Sequence, residues 1–389
     1  MGGADESERV EAGEAGPLAR IRAGLIGLAE RGVWPDGVVR AGIRRLLQER
    51  LAELETDDPC ATAARRDAFV AAAPDQPVAT ATREANEQHY EVPAAFFREV
   101  LGPRAKYSCC DYGPALERAG VGGPRAGRGA GGDPGFPTLE QAEVTMLEKT
   151  CARARVEDGM RLLDLGCGWG SLSLFLAERY PSAEILSVSN SKGQREHILA
   201  VAAERGLANL RVVTADANVF EPGAGEAPFD RVLSIEMFEH MRSWPRLFER
   251  IARWLAPDGR LFLHYFCHRT TPYPYEVRNE SDWMSRYFFT GGIMPCYDLA
   301  ARFPEHLEVE ESFVVDGRQY ERTCNDWLEH LDARVPAVLP ILASTYGEAD
   351  ALLWLQRWRL FFMACAELFG HRHGSEWFVA HHRLARTAR

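Results

Sequence analysis

The chain has 389 residues, 46% hydrophobic and 26% charged, a length that suggests two or three structural units and an ample core. Its 45 basic and 56 acidic residues give a net charge of −11, which leaves no electrostatic footprint for a nucleic-acid partner. Nine cysteines without C-x-x-C pairs or a secretory apolar region favour a reduced, cytoplasmic compartment, and no apolar run approaches the length of a bilayer span.

Residues 1–16 are small and acidic, the composition of a disordered tail, and Glu6 stands where a myristoylation signal needs Ser or Thr. Two helical patterns follow, Leu18–Glu30 and Val38–Glu55, with apolar residues every three or four positions and arginines opposite. Scattered acids interrupt the basic face, so packing on the protein's own core or on a second subunit is favoured over a membrane surface. Peripheral membrane contact and a homodimer both stay open. Two prolines make 72–80 read as a linker.

From Ala85 to Tyr112 the text is ANEQHYEVPAAFFREVLGPRAKYSCCDY, in which Tyr90, Glu91, Tyr107 and Cys109 alternate with helix-forming apolar residues. That suits a helical segment covering a pocket. Val121–Gly135 is a Gly-rich loop that builds no core, and helix returns over Thr138–Ala154.

Leu162 to Gly170, LLDLGCGWG, is a short buried strand ending in an acid and a glycine turn, and a helical pattern follows it. The spacing G-x-G-x-G, with Asp164 two residues upstream, departs from the dinucleotide G-x-G-x-x-G, and no phosphate-loop lysine follows. It resembles the S-adenosyl-L-methionine (SAM) turn of Rossmann-like methyltransferases. A tight corner without a ligand is the plainer alternative. Four further strand patterns at βαβ spacing argue against it: Glu184–Val188, Leu210–Thr214, Asp230–Ile235 and Arg260–Tyr265.

In such sheets ligands bind beyond the C-terminal strand ends, and polar residues stand there. Gly166 and Gly168 offer main chain to a cofactor, while Asp164 suits a structural bond to the turn amides. Asn190, with Gln194 one turn on, can meet ribose hydroxyls; Asp216, beside Ala217, can accept from an adenine amino group or simply cap a turn. If the fourth strand runs into a helical turn, Glu236, Glu239 and His240 share one face. The fifth strand adds His264. No metal is assigned, because the spacings of His240, His264, Cys267 and Cys109 match no usual ligand pattern.

Arg269–Pro304 is a long excursion, Glu308–Val315 reads as a strand, Tyr320 follows, and Trp327–Gly370 reads as two or three helices. The last of these, Leu352–Phe369, carries Trp354, Trp358, Phe361 and Phe362 and reads as core and pocket wall together. Trp377–Leu384 would close the sheet.

From Ala85 onward the chain resembles the cyclopropane-fatty-acyl-phospholipid synthase / coclaurine N-methyltransferase family, nearer the coclaurine N-methyltransferase branch. The motifs are HYEVP, YSCC, LDLGCGWGSLSL, SIEMFEHM, HYFCH, RYFFTGGIMP, AELFG and WFVAH, the last ending at His381. The resemblance implies an α/β, Rossmann-like class I SAM-dependent methyltransferase sheet with an N-terminal helical extension and helical lid insertions. Its expected division is 1–80 extension, 81–150 helical cap, 151–268 SAM-binding core and 269–389 lid helices with closing strands.

The resemblance also implies that Glu236, Glu239 and His240 line the catalytic site, that Tyr90 and Glu91 meet an amine, and that Tyr107 and Ser108 join the cofactor-binding set. In the lipid-modifying branch, residues matching Cys109, Glu239, His264 and Tyr320 hold a bicarbonate ion. The expected activity is methyl transfer from SAM to the nitrogen of a small aromatic amine, leaving S-adenosyl-L-homocysteine (SAH). The alternatives are methylene or methyl transfer to an unsaturated phospholipid acyl chain and, from another class, a SAM-binding scaffold without turnover.

Overall fold

The computed structural model describes residues 17–54, 58–80, 92–118, 136–223, 225–277 and 282–388. The expectations for 1–16, for Tyr90 and Glu91, and for the Gly-rich 121–135 lie outside these residues.

Five strands run parallel: β1 (Arg161–Leu165), β2 (Glu184–Ser189), β3 (Leu210–Thr214), β4 (Phe229–Ile235) and β5 (Leu255–His268). A small ribbon, β6 (Tyr273–Pro274) with β7 (Ile293–Met294), stands apart. Two more strands, β8 (Leu307–Val315) and β9 (Trp377–Arg386), extend the main sheet in the order β3-β2-β1-β4-β5-β9-β8, β9 lying antiparallel to both neighbours. Strand order reverses between β1 and β4, so the crevice for a ligand opens beyond the C-terminal ends of those two strands. β1 and β9 are buried on nearly every residue; β1 accordingly reads as an apolar run rather than an alternation, while β9 buries His381, His382 and Arg383 as well.

Helices α1 (Pro17–Glu30), α2 (Asp36–Leu54) and α3 (Pro59–Ala72) precede the sheet, followed by α4 (Ala94–Val100) and α5 (Pro114–Arg118). α6 (Leu139–Ala154) starts at a Thr138–Gln141 capping box, as its sequence signals, and delivers the chain to β1. α7 (Ser171–Arg179), α8 (Lys192–Glu204) and α9 (Trp244–Trp254) connect the parallel strands, and α10 (Trp283–Tyr287) lies in the excursion. α11 (Gly317–Ala333), α12 (Val335–Tyr346) and α13 (Ala351–Phe369) form the helical layer over the crevice.

Two expectations need correction. α11 begins ten residues before Trp327, because Asp316 caps it through the Arg318 amide and Gly317 leaves room for the Trp377 and Phe369 carbonyls; Tyr320 is therefore helical. Residues 72–80 are not an open linker: Val78 and Ala79 are buried, Ala79 N–H donates to Asn218 (2.9 Å), and Val78 C=O accepts from Arg242 N–H (2.7 Å). Two arginines of α2 reach the C-terminal helices, Arg40 to Glu367 and Asn325 and Arg44 to Glu367, which ties the N-terminal helices to α11 and α13, while Arg45 and Arg50 pair along α2 itself. Among the described residues no helix is long and apolar enough to cross a membrane.

Candidate active site

The glycine corner after β1 is left-handed at Gly166 (φ +86°), Gly168 (+51°) and Gly170 (+83°). A Cβ at Gly166 would come within 2.5 Å of Met237, and one at Gly170 within 2.5 Å of Ile198, whereas Gly168 faces open space. The amides of Gly166 and Cys167 donate to the Val188 carbonyl (3.0 and 2.9 Å), not to Asp164. The structural bond of Asp164 goes elsewhere: its carboxylate accepts from Ser173 Oγ (2.6 Å), itself bonded by Ser187 Oγ (2.8 Å), which pins the start of α7. Burial pushes Asp164 up to about 6.

Beside the corner lies a hollow of about 80 Å³ lined by Gly166, Gly168, Asn190, Gln194, Ala217 and Glu236, among others. Gln194 Oε1 accepts from Ser189 Oγ (2.6 Å), and its buried Nε2 has no partner among the described residues. Asp216 is not on this wall; its carboxylate caps the turn by accepting from the Asn218 amide (2.8 Å), the plainer of its two readings. The open approach at Gly168, the unsatisfied Gln194 amide and the hollow between them fit a nucleoside-bearing cofactor.

A larger cavity of about 1170 Å³ opens from the same corner, with Asp164, Tyr107 and Ser108 on its wall. Ser108 Oγ accepts from the buried Lys106 ammonium (2.5 Å), which also donates to the Cys109 carbonyl (2.7 Å). Phe266, Tyr275, Trp283, Phe289, Phe361 and Phe369 line its apolar part. The volume exceeds that of a single small-ligand pocket, leaving room for a cofactor and an acceptor together.

Glu236 stands where the two cavities meet. Its φ of +49° places a non-glycine residue in the left-handed region, and its own amide donates to the His264 carbonyl (2.8 Å). Three donors converge on its carboxylate: Cys109 N–H (2.9 Å), His264 Nε2–H (3.2 Å) and Tyr320 O–H (2.5 Å). Cys109 contributes its backbone; its thiol donates to the Cys110 carbonyl and is pushed up by burial.

Glu236 and His240 both line the two cavities, but Glu239 does not join them. The left-handed turn at Glu236 is followed by one 3-10 turn, Phe238–His240, so α-helical spacing does not apply. Glu239 points into the core, accepting from Phe266 N–H (2.7 Å), while Oε2 has no partner among the described residues. Burial, then the Glu236 charge, hold Glu239 well above the usual carboxylate range. His240 is on the wall of both cavities, stacked on Phe289 at 5.2 Å and 8°.

Behind His264 the structure adds two residues that sequence reading missed. His381 Nε2 lies 2.9 Å from His264 Nδ1, and Arg153 Nη1 lies 2.8 Å from His381 Nδ1. Lys106 is a third. Lys106 bonds within its own segment, to Ser108 and Cys109, whereas Arg153 and His381 take their meaning from residues distant in sequence.

A family model described as mycolic acid cyclopropane synthetase matches residues 78–376. The (S)-coclaurine N-methyltransferase of Thalictrum flavum subsp. glaucum is 31% identical over 376 residues, 96% of this chain and 98% of that protein. The cyclopropane-fatty-acyl-phospholipid synthase of Escherichia coli K12 is 27% identical over 301 residues, 76% of this chain and 67% of that protein. Among solved structures, coclaurine N-methyltransferase bound to N-methylheliamine and SAH matches with a TM-score of 0.84 at 31% identity, over 93% of this chain and 99% of that one.

Proposed function

The chain belongs to the mycolic acid cyclopropane synthetase family and is a SAM-dependent methyltransferase; from that premise we propose that it methylates the nitrogen of a small, aromatic-rich amine. The single observation that carries the choice of acceptor is the Glu236 carboxylate, fixed by three donors at the junction of the cofactor corner and the aromatic cavity.

Gly166, Gly168, Asn190, Gln194 and Ala217 would hold SAM, with Asp164, Tyr107 and Ser108 on the adjoining wall. When bound, SAM supplies an electrophilic methyl that a lone pair aligned behind it can accept. An amine reaches the aromatic chamber protonated near neutral pH. Glu236 anchors that ammonium and accepts its proton, which frees the lone pair, while His240 offers an imidazole on the same wall. Cys109, His264 and Tyr320 keep the carboxylate from rotating away. Glu239, turned toward Phe266, acts by holding β5 against the Glu236 turn. Tyr90 and Glu91 complete the proposed amine contacts.

The residues present do not fit a bicarbonate ion. Cys109, His264 and Tyr320, expected around it, close on Glu236 instead, and Glu239 turns to a backbone amide. This favours amine methylation over methylene transfer to an acyl chain. The test is turnover with trideuteromethyl SAM against secondary and tertiary amines bearing aromatic rings, and against unsaturated phospholipid vesicles. An N-methyl product keeps three deuterons. A cyclopropane, which keeps two, would replace the proposal with lipid modification, and SAM binding without turnover on either acceptor would reduce the protein to a scaffold.

A further inference from the structure

His264 and His381 face each other across β5 and β9, directly opposite in register, and both are buried. Together with Arg153 and Glu236 they form an unbroken line: Arg153 Nη1 to His381 Nδ1, 2.8 Å; His381 Nε2 to His264 Nδ1, 2.9 Å; His264 Nε2 to Glu236 Oε1, 3.2 Å. The line runs from the end of α6, behind the sheet, to the wall of the cavity. A guanidinium has donors only, so the line has a direction.

The direction fixes every proton. His381 Nδ1 must present its lone pair to Arg153, which leaves its proton on Nε2. That N–H donates to His264 Nδ1, and the His264 proton is therefore on Nε2, aimed at Glu236. An extra proton on either ring would set two donors against each other at hydrogen-bonding distance. Protonating His264 would oblige His381 to accept through Nε2, and its Nδ1–H would then meet the guanidinium. Burial acts in the same sense, pushing His264 down to about 4 and His381 well below its ordinary value. The charged groups around the pair are Glu236 in front and Lys106, Lys149 and Arg153 behind and beside it; all three cations disfavour a further positive charge on His381.

Arg153 is itself held. Its guanidinium lies 4.4 Å over the Phe313 ring on β8, and its carbonyl accepts from Arg383 Nη1 (2.7 Å). The Phe262 ring meets His381 edge-on at 5.1 Å. Nothing in this packing leaves the imidazoles free to turn over.

We propose that Arg153 is a positioning residue for methyl transfer: acting through His381 and His264, it holds one proton arrangement in which an N–H is always presented to Glu236. The proposal rests on Glu236 being the group that meets the acceptor. His264 is then a fixed donor rather than a base, and the proton taken from the acceptor leaves by the cavity side, since the inner end of the line is closed by a group that accepts none. Sequence gives His264 no such role, because Arg153 and His381 lie 111 and 117 residues away from it.

The test reads the line itself, without an acceptor. Nitrogen NMR of the full chain carrying 15N-labelled histidine should show both His264 and His381 neutral at pH 7 as Nε2–H tautomers. An Nδ1–H tautomer or a protonated ring at either position overturns the proposal, whether or not amine methylation holds. In Arg153→Met the tautomers mix and kcat falls about ten- to a hundredfold, the scale of a misplaced catalytic group, with SAM affinity unchanged. Arg153→Lys keeps a pure donor and recovers both the tautomers and the rate. His381→Phe, which keeps a ring against Phe262, repeats the loss of rate. An Arg153→Met enzyme with the wild-type kcat and wild-type histidine resonances refutes it.

Discussion

Replacing Glu236 by alanine removes the acceptor of three donors at once, the Cys109 amide, His264 Nε2–H and the Tyr320 hydroxyl. An orphaned buried donor costs about 1–3 kcal/mol. The Glu236 side chain is 9% exposed on a cavity wall, so water can reach the vacated space and the lower end applies, roughly 3 kcal/mol for the three. Glycine at the same position has a second effect, because φ is +49° there and a left-handed conformation costs an L-residue about 1–2 kcal/mol. Glu236→Gly should therefore be more stable than Glu236→Ala by about 1 kcal/mol, or about 2 °C in melting temperature for a chain of this size. Both lose turnover, by about 10²–10⁴, if Glu236 takes the acceptor's proton. The three donors still point into the gap, which makes it an anion site of carboxylate size. Turnover of labelled SAM, measured with and without millimolar formate or bicarbonate, should be restored saturably in Glu236→Gly and unchanged in wild type. Wild-type turnover in Glu236→Ala, or no response of the glycine variant to either anion, would refute this account of the cluster.

Two further outcomes follow from the buried acids. Asp164 is raised to about 6 by burial, so its contribution to stability is full below the ordinary carboxylate range and is lost as pH rises through 6; binding of cationic SAM favours the ionised form and works the other way. SAM affinity should thus rise through pH 6 with release of a proton, seen by calorimetry in buffers of different ionisation heat, and Asp164→Ala should bind SAM more weakly than wild type at every pH. Equal affinities would remove Asp164 from the cofactor site. Glu239, pushed above the usual carboxylate range by burial and then by the Glu236 charge, is turned to the Phe266 amide rather than to the cavity junction, so Glu239→Gln should keep most of kcat while Glu236→Gln loses it; the reverse order would exchange their roles.

Much of the sheet could be read from sequence because its inner strands are buried on both faces, although edge strand β8 alternates and β5 starts five residues before and ends three residues after its pattern. β3 occupies Leu210–Thr214 as its apolar run predicts, β2 and β8 run one residue longer than their patterns, and β9 continues two residues past Leu384. The glycine corner was legible for the same reason: only glycine takes those φ values beside Met237 and Ile198. What sequence could not give was the direction of side chains after β4. Helical spacing joins Glu236, Glu239 and His240, but a single left-handed residue before a 3-10 turn keeps Glu236 and His240 on the cavity walls, His240 stacked on Phe289, and sends Glu239 into the core. Nor could it pair His264 with His381, since that meeting depends on β9 inserting beside β5 after the whole helical layer has intervened.

The division of labour between the two glutamates follows from charge. A sulfonium and an ammonium are both cations, and bringing them together in an apolar cavity is unfavourable unless an anion stands between them. Two adjacent carboxylates would repel each other in the same surroundings, and the structure resolves this by unequal solvation: Glu236 receives three donors, whereas Glu239 receives one and is pushed upward by burial and by its neighbour. An exchangeable anion could meet the same need only by using those same donors and by being present at sufficient concentration. A carboxylate carried on the chain is always in place, at the cost of a left-handed backbone at Glu236. The donors that fix it each point at the carboxylate itself, so its remaining acceptor capacity is left for the one group that arrives from the cavity with a proton to give.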